Sequence, residues 1–462
     1  MTTLTVEPHS EVHGHRPKRR WGVHLGRLLY ALLAVAIVST LYSRFAGDDP
    51  TALPTAAAPA AAKTLEQSAT ELEVKASRDP GNATTWQQLT QVYVQRAAQT
   101  LDPRFYGRAE SALATARDLA PDDSGTLGAS AALSASLHHF ADAERDAASA
   151  VAVDPYDSAA MAVLVDAQVE LGRYDDAERS LQAFANRKPG APVLSRVSYL
   201  RELHGDAAGA RAAMAEARQA AAGAGSFQRA TLAAYDGDLL LSQGDTDGAS
   251  TAYDEALSLE PRHPIATVGH ARVLAATGKA DEAIALLATF VERTPVPAAA
   301  TLLGELQERA GQADDARQSY DVVRALTALQ ADAGVDVDLD LVLFDADHST
   351  PSPESVAKAR AAFVDRPTVH GADALAWTLY RAGDVGGARD LLTRSLALGS
   401  ADPLLHFHAA AILDAAGDRE SARNHLQRVI DTNPQFSFAL QDEAVGLASR
   451  LGLVWPSTEG ER

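Results

Sequence analysis

Apolar positions along the chain fall into two regimes. Leu28 to Ser43, LLYALLAVAIVSTLYS, is a run with no charge and no polar face. From Leu65 onward apolar residues return at helical spacing, and Leu65, Ala69 and Leu72 share one helix face. The pattern then becomes periodic. Between Ser124 and Ala191 a unit of 34 residues is written twice without a gap, so that Ala143 returns as Ala177, Ala150 as Phe184 and Pro155 as Pro189. Gly244, Ala249 and Pro261 return as Gly278, Ala283 and Pro295 at the same interval, and Gly383, Ala388 and Leu392 return as Gly417, Ala422 and Leu426. A fixed period of this size predicts a solenoid, in which each unit buries its apolar face only against its neighbours.

Each recurring residue type has a physical reason. Gly172, Gly205, Gly244, Gly278, Gly311, Gly383 and Gly417 fall between two predicted helices, where a helix end needs a left-handed backbone. Ala143, Ala177, Ala249, Ala283, Ala316, Ala388 and Ala422 fall where two helices must approach closely. Pro121, Pro155, Pro189, Pro261, Pro295 and Pro434 end second helices. The gaps obey the count too, since Pro189 to Pro261 and Pro295 to Pro367 each span 72 residues, two units plus four. Ten units are predicted: 83–123, 124–157, 158–191, 191–222, 230–263, 264–297, 297–330, 331–367, 369–402 and 403–436. Lys63 to Arg78 is a leading helix and Ser437 to Leu453 a solvating cap helix. In the irregular copy at 331–367, Asp336, Asp338 and Asp340 alternate with apolar residues as an exposed strand would. The neighbours favour helix, and Ser352-Pro353-Glu354 reads as the start of a second helix through Val364.

Trp86-x-x-Leu89-x-x-x-Tyr93, followed by Ala109, Leu113, Ala116 and Pro121, matches the pattern Trp-x-x-Leu-Gly-x-x-Tyr, Ala-x-x-x-Phe, Pro. On these residues the chain resembles the tetratricopeptide repeat (TPR) family. The resemblance implies an all-α solenoid, a right-handed superhelix of about ten helix-turn-helix repeats, whose first helices line a concave groove for an extended peptide or a partner helix. The family's first-helix glycine stands only at Gly237 and Gly304, with Thr90, Ala131, Val165 and Ala271 elsewhere.

Carried onto this chain, the family's groove positions give a bland amino-terminal stretch of Gln87, Gln88, Gln91, Gly128, Ala132, Ala159, Ala162 and Asp166. The middle presents Arg196, Tyr199, Tyr235, Asp238 and Arg272, and the carboxyl end His370, Asp373, Trp377, Tyr380, Arg381, Phe407 and His408. Aromatics and arginine concentrate toward the end of the chain, the composition of binding hot spots. The Lys and Asn with which some TPR domains clamp a terminal carboxylate are replaced by Gln87 and Gln91, Ala162 and Asp166, Ala234 and Asp238, or Asp373 and Trp377. His370, Asp373 and His408, with His348 and His406 near in sequence, offer an alternative reading as a metal-dependent accessory or catalytic site. Local hydrogen bonding in a polar groove is the simpler expectation.

The apolar run changes the picture at the amino terminus. Arg16 to Arg20, RPKRR, precedes it, and Gly47-Asp48-Asp49-Pro50 follows. Trp21 to Phe45 would extend about 37 Å as a helix, enough for a hydrocarbon core of roughly 30 Å. The division expected is a basic cytoplasmic tail at 1–20, a transmembrane signal-anchor helix at 21–45, a Pro/Ala linker at 46–62, the solenoid with its end helices at 63–453 and a tail at 454–462. A single-pass membrane protein with an extracytoplasmic solenoid follows from the positive-inside rule. A cleaved signal peptide competes with it, for which Ala56-Ala57-Ala58 is the better cleavage site but lies far beyond the run.

Composition adds exclusions. The net charge is −20, and residues 1–47 hold six Lys/Arg against two acids, leaving 35 basic and 59 acidic residues beyond. Such a body repels nucleic acid, and a protein or peptide partner in the groove is expected instead. The absence of cysteine excludes disulfides, thiolate metal sites and cysteine nucleophiles. No Walker loop, Rossmann glycine fingerprint, His-Glu-x-x-His helix or serine nucleophile elbow is present, so neither catalysis nor a cofactor is expected. The reading is a membrane-anchored scaffold in an envelope assembly.

Overall fold

The structure, a computed structural model, describes residues 64–336 and 339–456. Among these are 22 helices: a leading helix Leu65–Arg78, ten helix pairs from Ala83–Thr100 with Arg104–Leu119 to Pro403–Ala415 with Arg419–Thr432, and a terminal helix Gln441–Leu451. Helices pack with their sequence neighbours throughout, and no strand lies among the described residues. The architecture is an all-α, TPR-like solenoid.

Local chemistry sets the boundaries. Thr64 and Gln67 form a reciprocal capping box at the first helix. Second helices follow a glycine and then an aspartate: Asp206, Asp245, Asp384 and Asp418 each accept from a backbone N–H three residues on, at Gly209, Gly248, Gly387 and Ser421. The repeated alanines are sealed, with Ala143, Ala177, Ala249, Ala283, Ala388 and Ala422 at 0% exposure and Ala316 at 2%. They mark the crossings where only a methyl fits.

Two stretches depart from the expected outline, and the irregular copy keeps to it. The first unit, 83–123, is longer than the 34-residue period, and its first helix Ala83–Thr100 runs more than a turn beyond the 13-residue first helices of the next two units before Leu101 stops it in a left-handed conformation. The terminal helix begins at Gln441, not Ser437, because the Ser437 hydroxyl accepts from the Leu440 amide and holds 437–440 as a loop. In the irregular copy, Leu339–His348 and Pro353–Asp365 are helices, and Ser352 caps the second. Val337 and Asp338 lie outside the described residues.

Residues 1–63 also lie outside them, including the 1–20 tail, the 21–45 stretch expected to span and the 46–62 linker, as do residues 457–462 of the tail. Among the described residues no helix is long and apolar enough to cross a membrane. The longest, Ala313–Asp332, carries Asp314, Asp315, Arg317, Asp321, Arg324 and Asp332. On that finding the expectation of a single-pass membrane location with an extracytoplasmic solenoid is corrected.

The array does not stay open. It coils until the ends of its last units rest on the turns of its middle units. The Arg366 guanidinium grips the Glu170 carboxylate, with Nε 2.8 Å from Oε2, across 196 residues of sequence. The Val369 amide donates to the Tyr174 hydroxyl at 3.0 Å across 195 residues, and the Asn433 side-chain amide to the Leu241 carbonyl at 2.9 Å across 192. At the start of this seam the Asp336 amide donates to the Leu137 carbonyl at 3.0 Å. Apolar contacts run beside the polar ones: Val369 joins the core of Val193, Val197 and Leu200, Leu398 packs on the same core, and Phe438 packs on that of Leu302 and Leu306.

Candidate functional site

The first helices carry the side chains expected to line the groove, and most turn out to be spent on one another. Asp166 and Arg196, from adjacent units, form a buried pair with Arg196 Nε 2.8 Å from Asp166 Oδ1. Burial pushes the Asp166 carboxyl up and the facing guanidinium opposes it. Burial raises the Tyr199 phenol well above the usual range, and the charge of Glu170 adds to the shift. Tyr235, buried one turn from Asp238, is raised for the same reason.

The carboxyl-end aromatic cluster is an interior. Trp377 has 0% exposure, donates from Nε1 to Asp347 Oδ1 at 2.7 Å and stacks on His408 with ring centroids 4.0 Å apart. Phe407 packs on Phe436, and Asp373 holds His408 Nδ1 at 2.8 Å. The expectation that Asp373, Trp377, Phe407 and His408 face a partner fails here because adjacent first helices sit close enough for these side chains to reach each other. His370 is pushed down to about 4 by burial, against the pull of Asp373. Tyr380 and Arg381 keep some exposure, and Arg381 pairs with Glu443 of the terminal helix at 2.6 Å. Among the described residues no group of three or more His, Cys, Asp or Glu side chains is placed to hold a metal ion.

An opening survives in the middle. A cleft of about 30 Å³ is lined by Asp238, Arg272 and Glu305 on one side and by Asn433 to Phe438 on the other. The three charged residues occupy the ninth place of three successive units, so the fold stacks them in one column. Asp238 is held by Tyr253, whose hydroxyl donates to Oδ1 at 2.6 Å. The ring reaches that far because it crosses Gly237 and Gly269, where an added Cβ would stand 2.6 and 2.2 Å from ring carbons. Asp238 Oδ2 has no hydrogen-bond partner. Burial raises this carboxyl to about 8, against the hydrogen bond from Tyr253 and the charge of Arg272. Glu305 lies 3.5 Å from His348, which is wedged between the rings of Tyr320 and Phe344.

Asp238 and Arg272 were expected at the groove from the sequence; Glu305, Phe436 and Phe438 were not. Glu305 was legible, since it continues the column of ninth positions from Asp238 through Arg272. The wall at 433–438 was not, because it arrives from a remote part of the chain.

Fold and cleft together define a TPR-like helical repeat with a charged opening among its middle units. The tetratricopeptide repeat family model matches residues 240–306, the stretch that carries Arg272 and Glu305. No curated protein matches the chain. Among solved structures, a human IFIT1 dimer with PPP-AAAA is similar at 13% identity and a TM-score of 0.46, over 72% of this chain and 78% of that one. Yeast Tom70 is similar at 14% identity and 0.32, over 84% and 96%. PilW, described as a type IV pilus biogenesis factor, is similar at 18% identity and 0.37, over 44% and 92%.

Proposed function

We propose that this protein is a non-enzymatic scaffold that holds a protein or peptide partner at the concave cleft of Asp238, Arg272 and Glu305. The observation that carries the reading is the contrast within one column of the fold. The ninth positions at Asp166 and Trp377 are closed by neighbouring side chains, whereas those at Asp238, Arg272 and Glu305 line an opening. Charged side chains over partly covered aromatic residues suit a polypeptide ligand. The strongly acidic body argues against nucleic acid as the partner. Catalysis has no support in this reading, because Asp373 and His408 are sealed and paired with one another.

A photoreactive amino acid at Gln435, which lines the cleft, tests it in the full chain in cells. A discrete protein adduct is expected there, and none from the same group at Val364, which is 76% exposed on a remote helix. Equal yields at the two positions would overturn the proposal.

A further inference from the structure

The cleft has a chemistry of its own, and this inference rests on the reading just given, that a polypeptide partner enters there. Its ionisable lining is two carboxylic acids, Asp238 and Glu305, against one guanidinium, Arg272. With both acids ionised the lining carries one uncompensated negative charge. Asp238 is 8% exposed, and its Oδ2 is a buried acceptor with nothing donating to it. Leaving such an atom unsatisfied is costly, and a donor brought by a ligand recovers that cost. The hydroxyl-bearing Ser242, Thr246 and Ser437 also line the space, and Phe436 and Phe438 add aromatic surface.

We infer that the cleft seats a primary ammonium group of the partner, a lysine side chain or a free amino terminus, with Asp238 as its principal acceptor. Donor geometry selects this cation over the alternatives. An ammonium head is compact and presents three rotatable donors to Asp238 and the hydroxyls beside it, whereas a planar guanidinium is larger and fixed in a fork. A quaternary ammonium has the charge but no N–H to give Asp238. Once Asp238 has given up its proton, an incoming ammonium also brings the lining to neutrality.

The seat is tied to pH. Asp238 is raised to about 8, so at neutral pH it is protonated when the cleft is empty, and an ammonium must displace that proton. For a lysine ammonium, which stays charged to about pH 10, affinity therefore rises with pH between about 6 and about 9 and falls off in acid, whereas a free amino terminus loses its own proton at about pH 8 and gains nothing above it. The groups that face Asp238 are Tyr253 and Arg272 from the next two helices, Tyr235 and Glu202 on its other flank, and Glu305 with His348 across the cleft.

Saturation-transfer NMR on the full chain tests the inference, with n-butylammonium as the probe and tetramethylammonium at equal ionic strength as the control. Saturation of n-butylammonium is expected, with at least about threefold less for tetramethylammonium, which lacks the donors. At about pH 9, where Asp238 has lost its proton, the n-butylammonium Kd should rise about tenfold in Asp238→Asn and in Glu305→Gln, and fall severalfold in Arg272→Gln. The opposite sign of the last variant separates a lost seat from a damaged fold. Equal saturation by both cations, or a Kd indifferent to Asp238→Asn and Arg272→Gln, would overturn the inference. A protein adduct at Gln435 without n-butylammonium binding leaves the scaffold standing and removes the ammonium seat; the reverse result leaves an amine site and removes the scaffold.

Discussion

The turns at Gly205 and Gly417 are alike in every local respect and differ in what lies beyond them. Both glycines take the left-handed backbone, at φ 72° and 85°, and both are followed by an aspartate that caps the next helix. A Cβ on Gly417 would meet nothing within 4 Å, whereas one on Gly205 would stand 2.5 Å from the Gly399 carbonyl oxygen. Gly172 and Gly244 resemble Gly205, against the carbonyls of Pro367 and Thr432; Gly278, Gly311 and Gly383 resemble Gly417. One periodic glycine thus serves two purposes. Everywhere it ends a helix, and along the seam it also lets a remote segment dock.

Breaking the seam at its ion pair should have the largest effect. Glu170 and Arg366 are almost fully buried, at 3% and 5% side-chain exposure, so Arg366→Ala strands a buried carboxylate and should cost about 3–5 kcal/mol in equilibrium denaturation. Replacing both residues by Met should recover most of that loss. A single-variant loss below about 1 kcal/mol, the scale of a surface pair, would mean the seam contributes little.

The two classes of turn can next be set against each other. Gly205→Ala and Gly417→Ala share a penalty of about 1–2 kcal/mol for a left-handed alanine. Gly205→Ala should lose roughly 1–3 kcal/mol more, because its methyl forces the Gly399 loop of the seam outward. Equal losses in urea titrations would erase the distinction.

The middle region should also leave a mark on the pH profile. Burial raises Asp238 and Glu202 to about 8, and the charges of Asp402 and Asp238 add to the shift at Glu202. Free carboxyls titrate near 4, so between those values the folded state holds protons that the unfolded state has released, and stability falls as pH rises. His263 and His370, lowered to about 4 by burial, act in the opposite sense as pH falls below about 6.5, where unfolded histidine charges. The carboxylates alone therefore govern the window from about 6.5 to about 8, where denaturation midpoints should decline; Asp238→Asn should flatten that slope. A midpoint that climbs across this window would contradict the buried, protonated Asp238.

Away from both regions the effect should nearly vanish. Lys358 and Glu354 pair at 3.1 Å on an exposed helix face, and Lys358→Ala should change stability by no more than about 0.5 kcal/mol.

Trp377 shows why the groove was harder to read than the helices. Its place in the repeat is a groove position, and that much follows from a count of residues. Whether a groove position meets water depends on Asp347 from the preceding unit and His408 from the following one, and on how closely those helices approach. Glu170 and Arg366 teach the same lesson, since in sequence each is an ordinary helix-end charge and their meeting spans 196 residues.

By itself the sequence determined the repeat, the helix pairs and most of their ends, because glycine, alanine, proline and capping aspartate act through contacts within a turn or two of their own position. Tertiary structure alone decided which turns are covered, which groove residues are interior and where the concave side stays open. Those outcomes depend on how far the array coils. That coiling is the sum of small rotations between successive units, which no single unit of 34 residues encodes in a form that can be read from its own pattern.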